Sequence, residues 1–160
     1  MTGSSDTSQE PAPPHLVRRA LLLGGVAALG ACTLAASRWF NVDADVGQGD
    51  LTAPQAQAAA AAGAIVLVDI RRPDEWARTG IPATAVPIDM RSADFLDHLL
   101  VATGGKRDVP IALICARGVR SAALASRLSD AGFTQVLDVP EGVLGSGAGP
   151  GWLKRGLPLR

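Results

Sequence analysis

The chain has 160 residues, of which 48% are hydrophobic and 19% are charged, with 15 basic and 15 acidic side chains. This composition is too apolar and too weakly charged for an intrinsically disordered protein. A net charge of zero argues against a general nucleic-acid binder, which needs a clustered positive excess. Two cysteines, Cys32 and Cys115, are too few for a disulfide-stapled miniature fold, and with two histidines and no Cys-x-x-Cys pair they predict no metal site. The length fits one ordinary domain.

The first 37 residues fall into two parts of different composition. Residues 1–19 are polar and rich in Pro and Ser, which predicts a disordered segment that ends in Arg18 and Arg19. Residues 20–37 are uncharged and mostly apolar, which predicts a hydrophobic helix acting as a signal or membrane anchor. An arginine pair before an apolar stretch rich in Gly and Ala resembles the twin-arginine signal that exports folded proteins in bacteria.

The processing of this segment has three alternatives. Leu29-Gly30-Ala31-Cys32 resembles a lipobox, which makes Cys32 a candidate lipidation site after cleavage. The other two are ordinary signal cleavage and retention as an uncleaved anchor, for which residues 20–37 lie near the roughly 20 residues that a bilayer requires. We therefore expect the folded domain in the bacterial cell envelope, exported or anchored at the periplasmic face of the cytoplasmic membrane.

Residues 38–50 carry three aspartates and two glycines and are interpreted as a linker, so that the domain covers residues 51–160. Thr52 and Gln55 form a capping box at the start of a helix that Gly63 ends. Continuous apolar runs bounded by turn residues predict buried strands of a parallel sheet. Helices are predicted at 56–62, at 74–79, after an N-cap at Ser92 and at 120–131, and strands at 64–68, 85–88, 110–114 and 135–139.

Strands that alternate with helices at these lengths predict an α/β fold with an open, mostly parallel sheet and helices on both faces, preceded by the N-terminal hydrophobic helix. In such sheets ligands bind beyond the carboxyl ends of the strands. Cys115 directly follows the predicted strand 110–114. The fold class therefore places this cysteine at the expected binding edge.

The segment from Cys115 to Ser121 combines the features of a reactive-cysteine loop. A cysteine is a nucleophile only as its thiolate, which helix N-termini and nearby cations stabilise. Arg117 and Arg120 supply cations, and the free N–H groups of the following helix can cradle an anion. Gly118 lets the backbone curl where a Cβ would obstruct it. The alternative is a buried structural cysteine beside two surface arginines.

Four motifs in order resemble those of rhodanese domains, and together they extend over residues 51–160. The pattern Cys-x-x-Gly-x-Arg-Ser at Cys115 resembles the active-site loop of that family. The segment from Asp69 to Trp76 (DIRRPDEW) resembles its Asp-Val-Arg-x-Pro-x-Glu-Trp/Phe signature. The remaining two are the segment 80–88 (GIPATAVPI), similar to a Gly-His-Ile-Pro-Gly-Ala motif, and the segment 152–159 (WLKRGLPL), similar to a closing Trp…Gly-Leu-Pro.

This resemblance implies a sulfurtransferase that needs no cofactor. Cys115 would take sulfane sulfur from thiosulfate or a similar small donor as a persulfide and pass it to a thiol or cyanide acceptor. Asp69 and Arg71 would form a supporting polar pair, for which a purely structural role is the alternative. The persulfide-binding loop would consist of Ala116, Arg117, Gly118, Val119, Arg120 and Ser121.

Two other functions are weighed against this one. Tyrosine-specific phosphatases carry Cys-x5-Arg, whereas Arg120 is five positions after Cys115, so the loop is better sized for one sulfur atom than for a phosphate. The second alternative is a non-enzymatic rhodanese module that carries persulfide or docks a membrane redox complex. The N-terminal segment implies contact with a membrane, and the sequence identifies no protein partner.

Two departures from the rhodanese pattern lie near the predicted loop. Glu141-Gly142 stands where the family has Gly-Gly, so a carboxylate near the loop mouth would disfavour anionic donors. The glycine-rich segment 142–151 does not match the spacing of a phosphate-binding loop. It is interpreted as a surface insertion, with a flap over the site as the functional alternative.

Overall fold

The computed structural model of the protein describes residues 31–160, and the domain proper follows Arg38. The helices and strands alternate along the chain, as the apolar pattern predicts. The helices are α1 (Ala53–Ala61), α2 (Pro73–Thr79), α3 (Phe95–Ala102), α4 (Val119–Asp130) and α5 (Gly151–Lys154). The strands are β1 (Val66–Asp69), β2 (Val86–Pro87), β3 (Ile111–Ile114) and β4 (Val136–Asp138).

The four strands form one parallel sheet in the order β2-β1-β3-β4. The central strand β3 is buried along its whole length, which explains why its sequence is continuously apolar rather than alternating. Asp69 at the end of β1 pairs in register with Ile114, and Asp138 in β4 pairs with Leu113. The carboxyl ends of β1, β3 and β4 therefore meet at one edge, and Cys115 leaves the sheet there.

Helices cover both faces of the sheet, as predicted. One core lies between the sheet and helices α3 and α4, where Phe95 and Leu99 pack with Leu128. The other core lies under α1 and α5, where Trp152 is fully buried beside Ala53. Burying both faces contributes most of the hydrophobic stabilisation of the domain.

The ends of several elements differ from the prediction for local reasons. Ala64 and Ile65 were expected in β1, but the Ala64 N–H donates to the Ala59 carbonyl and completes the end of α1. Ser92 does not cap α3, because the N-cap is Asp94 and the Ser92 hydroxyl accepts a hydrogen bond from the Asp94 N–H in the preceding turn. The capping box of Thr52 and Gln55 is confirmed.

The predictions for the N-terminal region are only partly within the described residues. The disordered segment 1–19 with Arg18 and Arg19, and most of the hydrophobic segment 20–37, lie outside them. Residues 31–40 are helical, and Cys32 is an exposed free thiol. Within residues 31–160, no helix is long and apolar enough to cross a membrane. Signal, anchor, lipidation and envelope location stay predictions.

Candidate active site

Cys115 lies at the carboxyl edge of the sheet, between β3 and α4, and only 1% of it is exposed. Its Sγ accepts a hydrogen bond from the Gly118 N–H at 3.2 Å. The Ser121 hydroxyl is 3.5 Å from the same sulfur and also donates to the Gly118 carbonyl at 3.0 Å. A backbone N–H at the N-terminus of α4 thus donates to the sulfur, and the Ser121 hydroxyl lies beside it, a setting of partial positive charge that suits an anionic sulfur atom.

Gly118 makes the tight loop between Cys115 and α4. It is the N-cap of α4 with φ of 85°, a left-handed conformation that non-glycine residues adopt only with strain. A Cβ at this position would collide with the Pro140 carbonyl oxygen and would lie 3.1 Å from Asn41 Nδ2. The predicted need for glycine is therefore supported by both the dihedral angle and the space.

Arg120 pairs with Glu75 on α2. Its guanidinium donates to both carboxylate oxygens, at 2.7 and 2.8 Å. Burial alone would raise the pKa of Glu75, but the hydrogen bonds and charge of Arg120 outweigh it and lower that pKa from 4.5 to about 2. Arg120 therefore anchors the loop to α2, and most of its charge is compensated.

Arg117 lies on the other side of the loop, against the glycine-rich segment. Its Nη1 donates to the Gly145 carbonyl at 3.1 Å, and its guanidinium stacks 4.6 Å from the centre of the Phe40 ring. Within residues 31–160 no carboxylate pairs with Arg117. Of the two arginines expected to supply cations to the loop, Arg117 is the one without a carboxylate partner among the described residues.

An open cleft of about 390 Å³ adjoins Arg117. Its walls are apolar side chains and the backbone of the glycine-rich segment, with a second cation at its edge. In the described part of the chain, no cluster of His, Cys, Asp and Glu could hold a metal ion. Side chains that line the cleft include Phe40, Val42, Arg117, Leu144, Ser146 and Lys154.

Asp69 and Arg71 form a buried ion pair, as the resemblance implies. The Arg71 guanidinium donates to Asp69 from Nη2 at 2.7 Å and from Nε at 2.9 Å. The Arg71 side chain is 1% exposed and the Asp69 side chain 0%. Arg71 also donates to the Thr79 hydroxyl and the Gly80 carbonyl, so it ties β1 to the end of α2. These contacts support α2, which carries Glu75, and they do not include Cys115.

Comparison with known proteins decides the family. The profile of the rhodanese-like domain matches residues 52–145. The chain belongs to the rhodanese-like family. A rhodanese-related protein from Thermoplasma volcanium is 26% identical with a TM-score of 0.51, and the match covers 69% of this chain and 96% of that one.

Two further solved structures share the rhodanese-like fold. The polysulfide-sulfur transferase homodimer from Wolinella succinogenes is 24% identical with a TM-score of 0.54, over 82% of this chain and 88% of that one. A protein of unknown function and possible tyrosine phosphatase from Rhodopseudomonas palustris is 27% identical with a TM-score of 0.51, over 69% and 83% of the two chains.

Glu141 does not lie at the mouth of the rhodanese loop, so the expectation that it would repel anionic donors is wrong. Its side chain is fully buried and accepts two hydrogen bonds from Arg155, at 2.7 and 3.0 Å. Backbone N–H groups of Ala53 and Gly151 also donate to it. Burial raises the pKa of this carboxyl, but these donors reverse that effect and lower it. The carboxylate ties α1 to α5.

The glycine-rich segment 142–151 is part of the site and not a surface insertion. The Val143 N–H donates to the Cys115 carbonyl and the Leu144 N–H donates to the Ala116 carbonyl, both at 2.9 Å. Gly142 packs against the backbone of Ala116 so closely that a Cβ would collide with it. The segment therefore fixes the start of the cysteine loop from outside the sheet.

Asp138 is a buried acid beside the loop, and no sequence motif marks it. It is 7% exposed at the end of β4, and its Oδ1 accepts the Val139 N–H at 2.8 Å. Burial raises the pKa of Asp138 from 3.8 to about 6, against a smaller lowering by the Ser121 hydroxyl, and the charge of Asp50 adds to the rise. Its ionised form is therefore unfavourable in the fold.

We expect Asp138→Asn to stabilise the domain near neutral pH. The folded pKa of about 6 exceeds the unfolded value of 3.8, so the folded state binds more protons between these values and stability falls as pH rises through this window. The substitution removes this loss, which amounts to about 3 kcal/mol above pH 6. Urea unfolding at pH 7 and at pH 3.5 measures it: the variant gains stability at pH 7 and almost none at pH 3.5. An equal gain at both values would contradict the ionisation of Asp138 as the cause.

Proposed function

We propose that this rhodanese-like protein is a sulfurtransferase that moves sulfane sulfur through a persulfide on Cys115. The observation that carries the proposal is the Gly118 N–H directed at Sγ at the N-terminus of a 12-residue helix. A helix N-terminus carries partial positive charge, and a donor held on the sulfur favours the anionic form of either a thiol or a persulfide. The same geometry thus serves the free and the loaded enzyme.

The reaction has two displacement steps. The Cys115 thiolate attacks the outer sulfur of thiosulfate, forms the new S–S bond, and the donor's S–S bond breaks with both electrons leaving on sulfite. A thiolate or cyanide then attacks the outer sulfur of the persulfide. That sulfur leaves as the acceptor's persulfide or as thiocyanate, and the electron pair returns to Cys115, which regenerates the thiolate.

The geometry does not favour phosphatase chemistry on the same loop. A phosphate needs a guanidinium free to bind its oxygens, and Arg120 already gives two hydrogen bonds to Glu75. The loop also places Arg120 one residue closer to the cysteine than the Cys-x5-Arg spacing does. These two features argue for sulfur over phosphorus as the reacting atom.

A second candidate is a persulfide-carrying module without a small-molecule donor. The Arg120–Glu75 pair favours it, because this pair lowers the positive charge available to a dianionic donor. Such a module would receive sulfur from another protein, or dock a membrane redox complex. Its loop would still need the Gly118 N–H to hold the persulfide.

The test is the intact mass of the full-length chain before and after thiosulfate, and again after cyanide. We expect a gain of one sulfur that cyanide removes as thiocyanate. The Cys32→Ser variant is the matched control, because Cys32 is the other thiol and lies outside the domain. That variant should take up sulfur as the wild type does. If neither thiosulfate nor glutathione persulfide gives a gain but a persulfidated protein does, the persulfide carrier is supported, and failure with all three donors would overturn both candidates.

A further inference from the structure

Residues 40–42 do not behave as part of a free linker, because they bind the cysteine loop and the glycine-rich segment. The Asn41 side-chain Nδ2 donates to the Arg117 carbonyl at 2.8 Å, and the Asn41 carbonyl accepts the Gly147 N–H at 2.8 Å. The Phe40 ring lies against the guanidinium of Arg117. This segment precedes the part of the chain that the family profile matches, which begins at residue 52. The family match therefore assigns it no role.

Asn41 holds the opposite end of the peptide group that contacts the sulfur. The Arg117 carbonyl and the Gly118 N–H belong to one planar peptide unit and point in opposite directions. Asn41 Nδ2 donates to the carbonyl at 2.8 Å, and the N–H donates to Cys115 Sγ at 3.2 Å. A chain of hydrogen bonds thus runs from the linker, through one peptide, to the reacting atom.

The orientation of the 117–118 peptide is not fixed by its own residues, because the peptide leads into a glycine. A hydrogen bond from another segment is needed to hold it. Gly118 has no Cβ to restrict its dihedral angles, so rotation of the 117–118 peptide costs less here than at other residues. Rotation would turn the N–H away from the sulfur and the carbonyl toward it. A donor at the carbonyl oxygen opposes that rotation, and it also polarises the N–H and strengthens its bond to an anion.

The segment around Asn41 is itself fixed, so it can keep the Asn41 donor at the Arg117 carbonyl. Asn41 has φ of 50°, a left-handed conformation that asparagine and aspartate tolerate better than most residues. Gly147 packs on the backbone of Val42 with no room for a Cβ, since a Cβ there would collide with the Val42 carbonyl. The contacts of Phe40, Asn41 and Val42 thus secure three consecutive residues against the site.

We propose that Asn41 is a positioning residue of the active site, acting through the 117–118 peptide to stabilise the anionic sulfur of Cys115. Its use in sulfur transfer rests on the proposed function, but its effect on the thiolate does not. Its side-chain donor bonds the Arg117 carbonyl and not the sulfur. It sets the orientation and strength of the donor that bonds the sulfur.

The test measures Cys115 directly by its rate of alkylation with iodoacetamide across pH, in the full-length chain carrying Cys32→Ser. Asn41→Asp keeps the side-chain shape and the tolerated backbone but removes the donor, and Asn41→Gly removes the side chain. We expect both to slow alkylation at neutral pH about tenfold, because the thiolate loses the donor that Asn41 holds in place, and to shift the rate profile to higher pH. Asp45→Asn is the matched control in the same segment, because Asp45 bonds only the neighbouring Val46 N–H and should leave the profile unchanged.

The outcomes separate this inference from the proposed function. Asn41→Gly adds no charge, and the charged groups near Cys115, namely Glu75, Arg117, Arg120 and Asp138, are the same in every variant. A shift in Asn41→Gly therefore reports the lost donor, whereas Asn41→Asp also adds a carboxylate. A wild-type pH profile in both Asn41 variants, with thermal unfolding midpoints within the range of the control, would overturn the inference. A shifted profile in a protein that takes up no sulfur would keep the inference and overturn the sulfurtransferase.

Discussion

In the Cys115→Ser variant we expect sulfur uptake from thiosulfate to fall to the uncatalysed background. A serine hydroxyl stays protonated near neutral pH and does not displace sulfite from thiosulfate, whereas a thiolate does. The substitution is close to isosteric, and the hydroxyl oxygen can still accept the Gly118 N–H that now contacts Sγ. The expected loss is therefore chemical and leaves the loop in place. Thiocyanate formation from thiosulfate and cyanide, measured beside intact mass, checks it.

The control for this variant is a measurement of its stability, made by comparing its unfolding curve with that of the wild type. Cys115 is 1% exposed among apolar neighbours, so exchange of sulfur for oxygen should change stability only modestly. Retained uptake in Cys115→Ser would mean that Cys32 carries the sulfur. The Cys32→Ser and Cys115→Ser double variant would then lose it, and the proposed role of the rhodanese loop would be wrong.

Arg71→Met is expected to destabilise the domain by about 3–5 kcal/mol, the usual cost of leaving one partner of a buried ion pair without the other. Asp69 is 0% exposed, and its carboxylate would keep only the Arg71 backbone N–H among the donors it now has. The Thr79 hydroxyl and the Gly80 carbonyl would also lose a donor. Urea unfolding at pH 7 measures the change in free energy.

The chain offers a matched control for this substitution at its surface. Asp89 and Arg91 have the same spacing, and their three hydrogen bonds, at 2.8 to 3.1 Å, match three of the four between Asp69 and Arg71. The Arg91 side chain is 61% exposed, so water replaces the lost contacts. Arg91→Met should leave the unfolding curve close to that of the wild type. Equal losses in Arg71→Met and Arg91→Met would contradict burial as the source of the effect.

A second variant separates the lost pair from the unpaired charge. In Asp69→Leu with Arg71→Met, no buried charge is left, so part of the stability lost in Arg71→Met should return. No recovery in the double variant would mean that the contacts of Arg71 with α2 matter more than Asp69. Sulfur uptake should follow the folded fraction in all of these variants, because neither residue bonds to the cysteine loop.

The short-range features of the fold could be predicted from the sequence. Thr52 and Gln55 form the capping box over three residues, and Gly63 follows the helix with φ of 70°. The apolar run of β3, its position before Cys115 and the position of Gly118 after that cysteine can all be read from the local sequence. Each of these depends on sterics and hydrogen bonds between neighbours in the chain, which the local sequence already contains.

The partners of the site residues could not be predicted in the same way. Asn41 reaches the Arg117 carbonyl across 76 positions, and Arg120 reaches Glu75 across 45. Glu141 was expected at the loop mouth, but Arg155 pairs with it inside the fold. Glu75 lies within the recognised Asp-to-Trp signature, which could have suggested it, whereas Asn41 and Asp138 carry no local signal.

The sequence by itself predicted the candidate nucleophile of this protein and its place, a cysteine before a helix at the edge of a parallel sheet. Only the tertiary structure decided how that cysteine is held. Arg120 has its charge compensated by Glu75, the glycine-rich segment bonds to the Cys115 and Ala116 carbonyls, and Asn41 bonds to the next peptide. The reason is physical: a nucleophile and its helix are adjacent in the chain, while the groups that orient them come from segments that meet only when both faces of the sheet are buried.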